Sequence, residues 1–369
     1  MKTVRILSLL LALCMLIPAA ACGKTGGSVS GTITVTDHVG RTVEVPREIR
    51  RIVVCDIYPL PSVLAVFFDS AEKIVGMAQP SMKAAENSLL SELYPEILTA
   101  KTDFIDGTTI NVEEIMKLEP DVVFFSSGSQ QIGEQLEKAG IPAVAISAGK
   151  WDYDAIETLN NWILLLSEMF PQNDRYETVK AYSEKIYERV RERVSGLSDA
   201  ERERVFFLFQ YNDSSITTSG KHFFGQWWAD AVGAVNVGEE LETDNSTAVG
   251  MEQIYQWNPG RILITNFNTA QPADLLNNTV GNYDWSPVAA VEEGKVNKMP
   301  LGMYRNYTCG VDTPVTLIWM AKTVYPDLFA DFDITEETKN YYREVFGIEL
   351  TDEQANRIFN PSSMASAFN

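Results

Sequence analysis

Between residues 173 and 196 apolar side chains fall three or four positions apart: Tyr176, Val179, Tyr182, Ile186, Val190 and Val194. Glutamate, lysine and arginine fill much of the rest. That spacing puts the apolar set on one face of a helix. Asn173 or Asp174 is a candidate cap for its start, and Gly196 can end it by turning left-handed. Such a helix spans roughly 33 Å. It predicts either a strut between two lobes or an ordinary amphipathic helix packed on one sheet. The flanking patterns favour the strut.

Alternating β-branched residues around His38–Arg41 predict a hairpin from Thr32 to Pro46. Residues 51–55 form a compact apolar strand. Strands at 73–77, 122–126 and 143–146 then alternate with helices at 112–118 and 133–139. Short buried strands between helices predict an open parallel sheet in an α/β fold, with ligand contacts at the strands' C-terminal ends. Those ends are Asp56–Tyr58, Ala78–Gln79, Ser126–Gly128 and Ser147–Trp151. A helix with Ile156, Leu159, Ile163, Leu166 and Phe170 on one face closes this lobe.

After residue 196 the alternation resumes. A strand at 205–209 ends in Gln210-Tyr211-Asn212, and the turn 219–222 leads into a helix with Phe223, Phe224, Trp227 and Trp228. Strands at 262–265 and 295–299 end near Asn266 and near Leu301 and Tyr304. Residues 314–324 read as a buried helix. Two short helices, 335–346 and 351–359, follow, the second opening on Thr351 with Glu353 and Gln354. The domains expected are therefore 31–172, a bridging helix 173–196, 197–334, and an extension 335–369 to which the sequence assigns no role.

The two halves echo each other. Val112-Glu113-Glu114-Ile115 leads through Pro120 to the strand VVFFS, and Met251-Glu252-Gln253-Ile254 leads through Pro259 to ILIT, at an offset of 139 residues. Proline follows each helix where no donor is needed. Each helix carries a glutamate in its first turn, Glu113 and Glu252, where compensation of the helix dipole is the plain explanation.

Residues 1–21 have Lys2, Arg5, an apolar run from Ile6 to Leu16, and small residues before Cys22. This reads as a signal peptide, too short for a permanent membrane span. The small residues ahead of Cys22 suggest a lipidation site, although Pro18 and Ala19 depart from the usual lipobox; plain secretion is the alternative. Residues 22–30 are a Gly/Ser-rich tether. The balance of 30 basic against 50 acidic side chains is −20, and loss of Lys2 and Arg5 with the leader takes it to −22. So acidic a surface argues against nucleic acid and against adsorption to anionic lipid. Cys55 and Cys309 lie in different halves, which excludes a small disulfide framework and predicts free, partly buried thiols.

The segments TVTDHVGRTVEVP, RRIVVCD, EEIMKLEPDVVFFS, LEKAGIPAVAIS, RVFFLFQY, TTSGKHFFGQWW, AVGAVNV and WSPVAAVEEGKVNKMP together resemble the substrate-binding proteins of ABC importers for iron complexes and vitamin B12, from about residue 32 to 330. The resemblance implies two Rossmann-like lobes joined by one long helix, with the ligand in the cleft between them. It implies a non-enzymatic monomer that delivers its cargo to a permease driven by an ATPase. It also implies that Glu113 and Glu252 dock on permease arginines. The protein would be exported and lipid-anchored through Cys22 to the outer face of the cell membrane, or periplasmic in a host with an outer membrane.

Ligand groups must stand at strand ends. The candidates are Tyr58, Gln79, Ser127 and Trp151 in the first lobe, and Tyr211, His222, Phe223, Trp227, Tyr304, Arg305 and Tyr307 in the second. Aromatic faces suit a large planar or chelated ligand, and Arg305 suits a carboxylate. Each has a plainer reading. One of Trp227 and Trp228 belongs to the core, Tyr304 and Tyr307 can simply pack their loop, and a turn histidine such as His222 is more often a surface residue than an axial metal ligand. Only two histidines exist, so capture of a bare ion is not expected, and neither is a resident cofactor or metal. No Walker loop, HExxH, CxxC or GxSxG is present. The expected cargo is a ferric siderophore or haem, with cobalamin or another corrinoid as the alternative. From other classes, a chelatase acting on a tetrapyrrole shares the two-lobed build, and a surface adhesin is a third reading.

Overall fold

The computed structural model describes residues 31–364. The leader, Cys22, the tether and residues 365–369 lie outside the described residues. The first hairpin pairs β1 (Thr32–Thr36) with β2 (Thr42–Pro46) antiparallel. Gly40 turns it at φ 82°, and Asp37 accepts the N–H groups of Val39 and Arg41 at 3.1 and 2.9 Å. His38 is buried and its Nδ1 accepts the Ser147 N–H at 3.0 Å. That bond needs a neutral ring, and burial, helped by Lys150, lowers the His38 pKa to about 4.

The first sheet holds β3 (Ile52–Val54), β4 (Ile74–Met77), β7 (Val122–Ser126) and β8 (Ala143–Ile146), all parallel in the order β4-β3-β7-β8. A small hairpin, β5 (Ile105–Asp106) with β6 (Thr109–Ile110), stands apart. The first helices are α1 (Leu60–Phe68), α2 (Gln79–Glu86), α3 (Leu89–Leu93), α4 (Val112–Lys117), α5 (Gln130–Lys138) and α6 (Ala155–Met169). β3 and β8 are buried at every position, as expected of parallel strands covered on both faces. Asp154 starts α6 by accepting the Glu157 N–H at 2.8 Å.

α7 (Tyr176–Val194) buries Val179, Tyr182, Ile186, Val190 and Val194, the face the spacing picks out. It is shorter than 173–196 at both ends. Residues 171–173 make a separate 3₁₀ turn, and Asp174 accepts the Tyr176 N–H at 3.0 Å. Gly196 does not turn left-handed; the helix stops in a turn that returns the Leu197 N–H to the Val194 carbonyl. α7 packs on α6, on α8 (Phe224–Ala231) and on α12 (Thr313–Val324).

The second sheet is mixed. β9 (Arg204–Asn212), β13 (Arg261–Ile264) and β14 (Val296–Lys298) are parallel. β10 (Ser215–Ser219) and β12 (Ser246–Ala248) add antiparallel strands, and β11 (Val235–Asn236) pairs with the start of β9. β9 does not end at residue 209. It runs on to Asn212, whose side chain accepts the N–H groups of Ser214 and Ser215, each at 3.0 Å, and so turns the chain into β10. The remaining helices are α9 (Met251–Trp257), α10 (Pro272–Leu276), α11 (Ala289–Glu292), α13 (Ile334–Tyr341) and α14 (Asp352–Phe359). Thr351 and Gln354 cap α14 reciprocally.

Each sheet has an outer core of its own, around Val123 and Phe125 in the first and around Phe206 and Trp285 in the second. One larger core runs between the sheets through α6, α7 and α12, and includes Trp162, Trp228 and Tyr341. Cys55 and Cys309 are both buried and free, and burial pushes both thiols up. Among the described residues, no helix is long and apolar enough to cross a membrane.

Candidate functional site

Residues just past the ends of the first sheet's parallel strands meet the second lobe at two places. The first lies beyond β4 and β14. The segment from Met299 to Asp312 has little regular structure, yet nearly all of it is buried. Arg305 within it is 1 % exposed. Its Nε donates to the Asn266 carbonyl at 2.8 Å, and its Nη1 to the Pro80 carbonyl and the Tyr304 hydroxyl, both at 3.2 Å. Pro80 belongs to the first lobe and Asn266 to the second, so this guanidinium spans the seam. It also lies 5.2 Å from the Tyr304 ring centre and 5.6 Å from that of Phe267. Tyr58, at the end of β3, is close enough to raise the Tyr304 pKa, after the larger effect of burial. Burial, then the Asp56 charge, pushes up Tyr58 itself. Both hydroxyls therefore stay protonated as donors at neutral pH. The Leu89 N–H completes the seam, donating to the Gly302 carbonyl at 3.2 Å.

The second meeting place is a cavity of about 810 Å³ beyond β7 and β8. Ser126, Ser127, Ser147, Asp152 and Tyr153 line it from the first lobe, and Lys221, His222, Trp227, Asp230 and Asp244 from the second. Tyr153 crosses the gap, its hydroxyl donating to the Asp244 carbonyl at 3.1 Å and its ring lying 5.2 Å from that of Phe223. Asp152 and Tyr153 are both left-handed, at φ 51° and 58°. Such strain costs about 1–3 kcal/mol per residue and is held only by the surroundings. Lys221 and His222 both turn to Glu242, at 2.7 and 3.1 Å. With the Lys221 ammonium engaged there, Asp152, Asp230 and Asp244 leave the cavity with an acidic wall.

The sequence candidates divide accordingly. Tyr58, Tyr304 and Arg305 gather at the seam, with exposed Gln79 next to Pro80 at the start of α2. Ser127, His222 and Trp227 line the cavity, and Phe223 stands behind Tyr153. Three candidates are elsewhere. Trp151 packs edge-on against His38, 5.0 Å away, because the loop turns it toward the first hairpin. Tyr211 lies on the extended part of β9 and enters the outer core, its hydroxyl accepting from Trp285 at 2.9 Å. Tyr307 is fully buried, its hydroxyl accepting the Gly225 N–H at 2.9 Å. Glu113 and Glu252 are both exposed in the first turns of α4 and α9. Pro80 and Asn266, which act through carbonyls, and the Asp152–Tyr153 pair, whose left-handed backbone has no glycine to announce it, lie outside that candidate set. Among the described residues, no group of three or more His, Cys, Asp or Glu is arranged to hold a metal ion.

Two α/β lobes that meet across a seam and an open cavity define a two-lobed binding protein. The family profile described as periplasmic binding protein matches residues 71–300, and the chain belongs to that family. A periplasmic solute-binding protein from Veillonella parvula is 29 % identical and superposes with a TM-score of 0.79, over 89 % of this chain and 97 % of its own. The molybdate-binding protein MolA of Haemophilus influenzae is 25 % identical over 343 residues, 88 % of this chain and 93 % of its own. The MolA crystal structure with molybdate superposes with a TM-score of 0.71, over 86 % of this chain and 99 % of its own, at 24 % identity.

Proposed function

We propose that the protein is the substrate-binding subunit of an ABC importer and that its cargo is an anionic metal species held at Arg305. The observation that carries this reading is the guanidinium at the seam, buried and bonded to carbonyls of both lobes. A small oxyanion such as molybdate suits a group this deeply buried. Arginine is the side chain best matched to an oxyanion. Because its Nε and Nη1 already donate to Asn266, Pro80 and Tyr304, the oxyanion would have to take the place of these carbonyl and hydroxyl acceptors. In a low-dielectric setting such bonds gain strength. The similarity to MolA supports the same chemistry.

A second reading keeps the iron complex, a ferric siderophore or haem. The cavity of about 810 Å³ favours it, being roomy enough for an organic chelate. An anionic arm would then have to extend from that acid-lined cavity to Arg305. A corrinoid is the alternative large cargo for the same space.

On either reading α7 is the strut between the lobes, and Glu113 and Glu252 are the contacts to the permease. Each of these glutamates has an exposed apolar neighbour one turn on, Met116 and Tyr255, which gives both lobes a similar small docking patch. The chain acts as a monomer, lipid-anchored through Cys22, with the ATPase engaged only through the permease. Tryptophan fluorescence of the mature protein, titrated with molybdate, tungstate, sulfate, haem, ferric siderophores of several classes, cobalamin and cobinamide, tests the cargo. Saturation by molybdate and tungstate but not sulfate supports the oxyanion, and saturation by a siderophore or haem alone moves the assignment to the chelate. Turnover of a porphyrin with free metal would instead mark an enzyme.

A further inference from the structure

Irregular backbone is usually left at the surface, because buried N–H and C=O groups need partners. The Met299–Asp312 segment is buried, so its backbone groups must be satisfied from within. Asp312 does much of this. Its Oδ2 accepts the Met303 N–H at 2.8 Å, and the Tyr304 N–H next along is close enough to help hold the carboxyl pKa down. These are the two residues directly ahead of Arg305. Gly302 leaves room for the carboxylate, since a Cβ there would stand 2.3 Å from Asp312 Oδ1.

The other side of Asp312 faces the C-terminal extension. Tyr342, fully buried in the π-helical turn Tyr342–Phe346 after α13, donates its hydroxyl to Asp312 Oδ1. Tyr341 donates to the Val311 carbonyl at 2.6 Å. Farther along, the Leu301 N–H donates to the Ile358 carbonyl of α14 at 2.8 Å. α14 also reaches the first lobe, where Gln354 donates to Glu92 of α3 at 2.8 Å and Arg357 pairs with the same carboxylate. All of these extension residues lie beyond residue 300, where the family match ends.

We propose that the C-terminal extension positions the cargo-binding loop, with Tyr342 and Asp312 as the positioning residues that hold Met303 and Tyr304 and thereby aim Arg305. This rests on the reading of Arg305 as the cargo-binding group. The extension becomes part of the site's scaffold without touching cargo. Burial raises Asp312 to about 6, against the opposing pull of Tyr342 and the loop N–H groups. The titratable groups packed around the pair are Tyr341 of the extension, Tyr94 of the first lobe and, beside Tyr341, Tyr182 of α7. Burial raises all three tyrosines, so they remain neutral near pH 6. Protonation of Asp312 weakens the hold on the loop.

The test is Tyr342→Phe in the full mature chain, which removes one hydroxyl from a packed ring. Hydrogen exchange of residues 300–310, read against the rest of the protein, needs no cargo. Exchange at Met303 and Tyr304 should rise roughly tenfold while α7 and both sheets stay protected. Cargo affinity, measured with whichever of molybdate, haem, ferric siderophore or cobalamin saturates the wild type, should fall roughly tenfold. Its low-pH loss should begin at a higher pH than in wild type, because Asp312 has lost the partner that lowers its pKa. Asp312→Asn should give the same affinity loss with that pH step removed. Unchanged exchange at Met303 and Tyr304 overturns the proposal while leaving Arg305 as the cargo group. Raised exchange with unchanged affinity for a saturating cargo, together with an unaffected Arg305→Ala variant, overturns the Arg305 reading and the proposal with it.

Discussion

The two meeting places of the lobes are built in opposite ways. At the seam beyond β4 and β14, one buried cation is bonded to carbonyls of both lobes and its loop is tied down by Asp312, Asn266 and the C-terminal extension. At the cavity beyond β7 and β8, the crossing contact is a half-buried tyrosine on a strained turn, and the lining is polar and acidic. Groups held from both sides can fix a small ligand's geometry and charge. A roomy polar mouth can admit many ligands while selecting few. If Arg305 holds the cargo as proposed, selectivity belongs to the seam and access to the cavity.

The sharpest way to break that division is Arg305→Ala. Truncating a buried, hydrogen-bonded charge should weaken cargo binding by about 100-fold or more, on the order of 3 kcal/mol, in an isothermal titration. The matching change at the cavity, His222→Ala, should alter affinity less than about threefold, since this exposed ring already pairs with Glu242. Equal losses from the two variants would erase the distinction.

Acid separates the two places next. His38 supports Ser147 at the cavity edge only when neutral, and its pKa falls from 6.5 to about 4 on folding. Between those values the unfolded chain binds the extra proton, so stability is complete above pH 6.5 and is lost as pH falls toward 4. The loss approaches about 3 kcal/mol at its upper limit. Urea unfolding across this range should show the slope in wild type and lose it in His38→Gln. A slope that survives the substitution would assign it to other groups.

Smaller effects follow from backbone geometry. Gly302→Ala drives a methyl into the Asp312 carboxylate and should cost about 1–3 kcal/mol in thermal unfolding, with weaker cargo binding alongside. Asp152→Gly should do the reverse at the cavity. It relieves a left-handed residue at φ 51° and should stabilise by about 1 kcal/mol at most, because glycine also loosens the unfolded chain. Stabilisation by Gly302→Ala would mean that the seam is less tightly packed than its distances indicate.

The same contrast explains what the sequence disclosed. The sheets, the amphipathic face of α7 and the paired helices bearing Glu113 and Glu252 rest on periodicity, which is local and visible. Arg305 and Tyr304 follow the last strand of the parallel set, a position the alternation of strands and helices marks in the sequence. Tyr211 was misjudged for a local reason: Asn212 starts a hairpin, which carries the strand past the expected end and turns the ring into a core. Trp151 and Tyr153 stand two residues apart in one loop and no propensity distinguishes them, yet Tyr153 crosses the gap and Trp151 packs on His38. The link from Tyr342 to Asp312 spans thirty residues and depends on a buried carboxylate that no motif marks.

The most direct test is to grow crystals of the mature protein with molybdate and, in a parallel set, with a ferric siderophore, and to locate the metal by its anomalous scattering. Cargo held at the seam requires the oxygens of the located molybdate, or the anionic edge of the chelate, within hydrogen-bonding distance of Arg305 between the lobes. Metal confined to the cavity near Lys221 and Asp244, with Arg305 still bonded to Pro80 and Asn266, would contradict it.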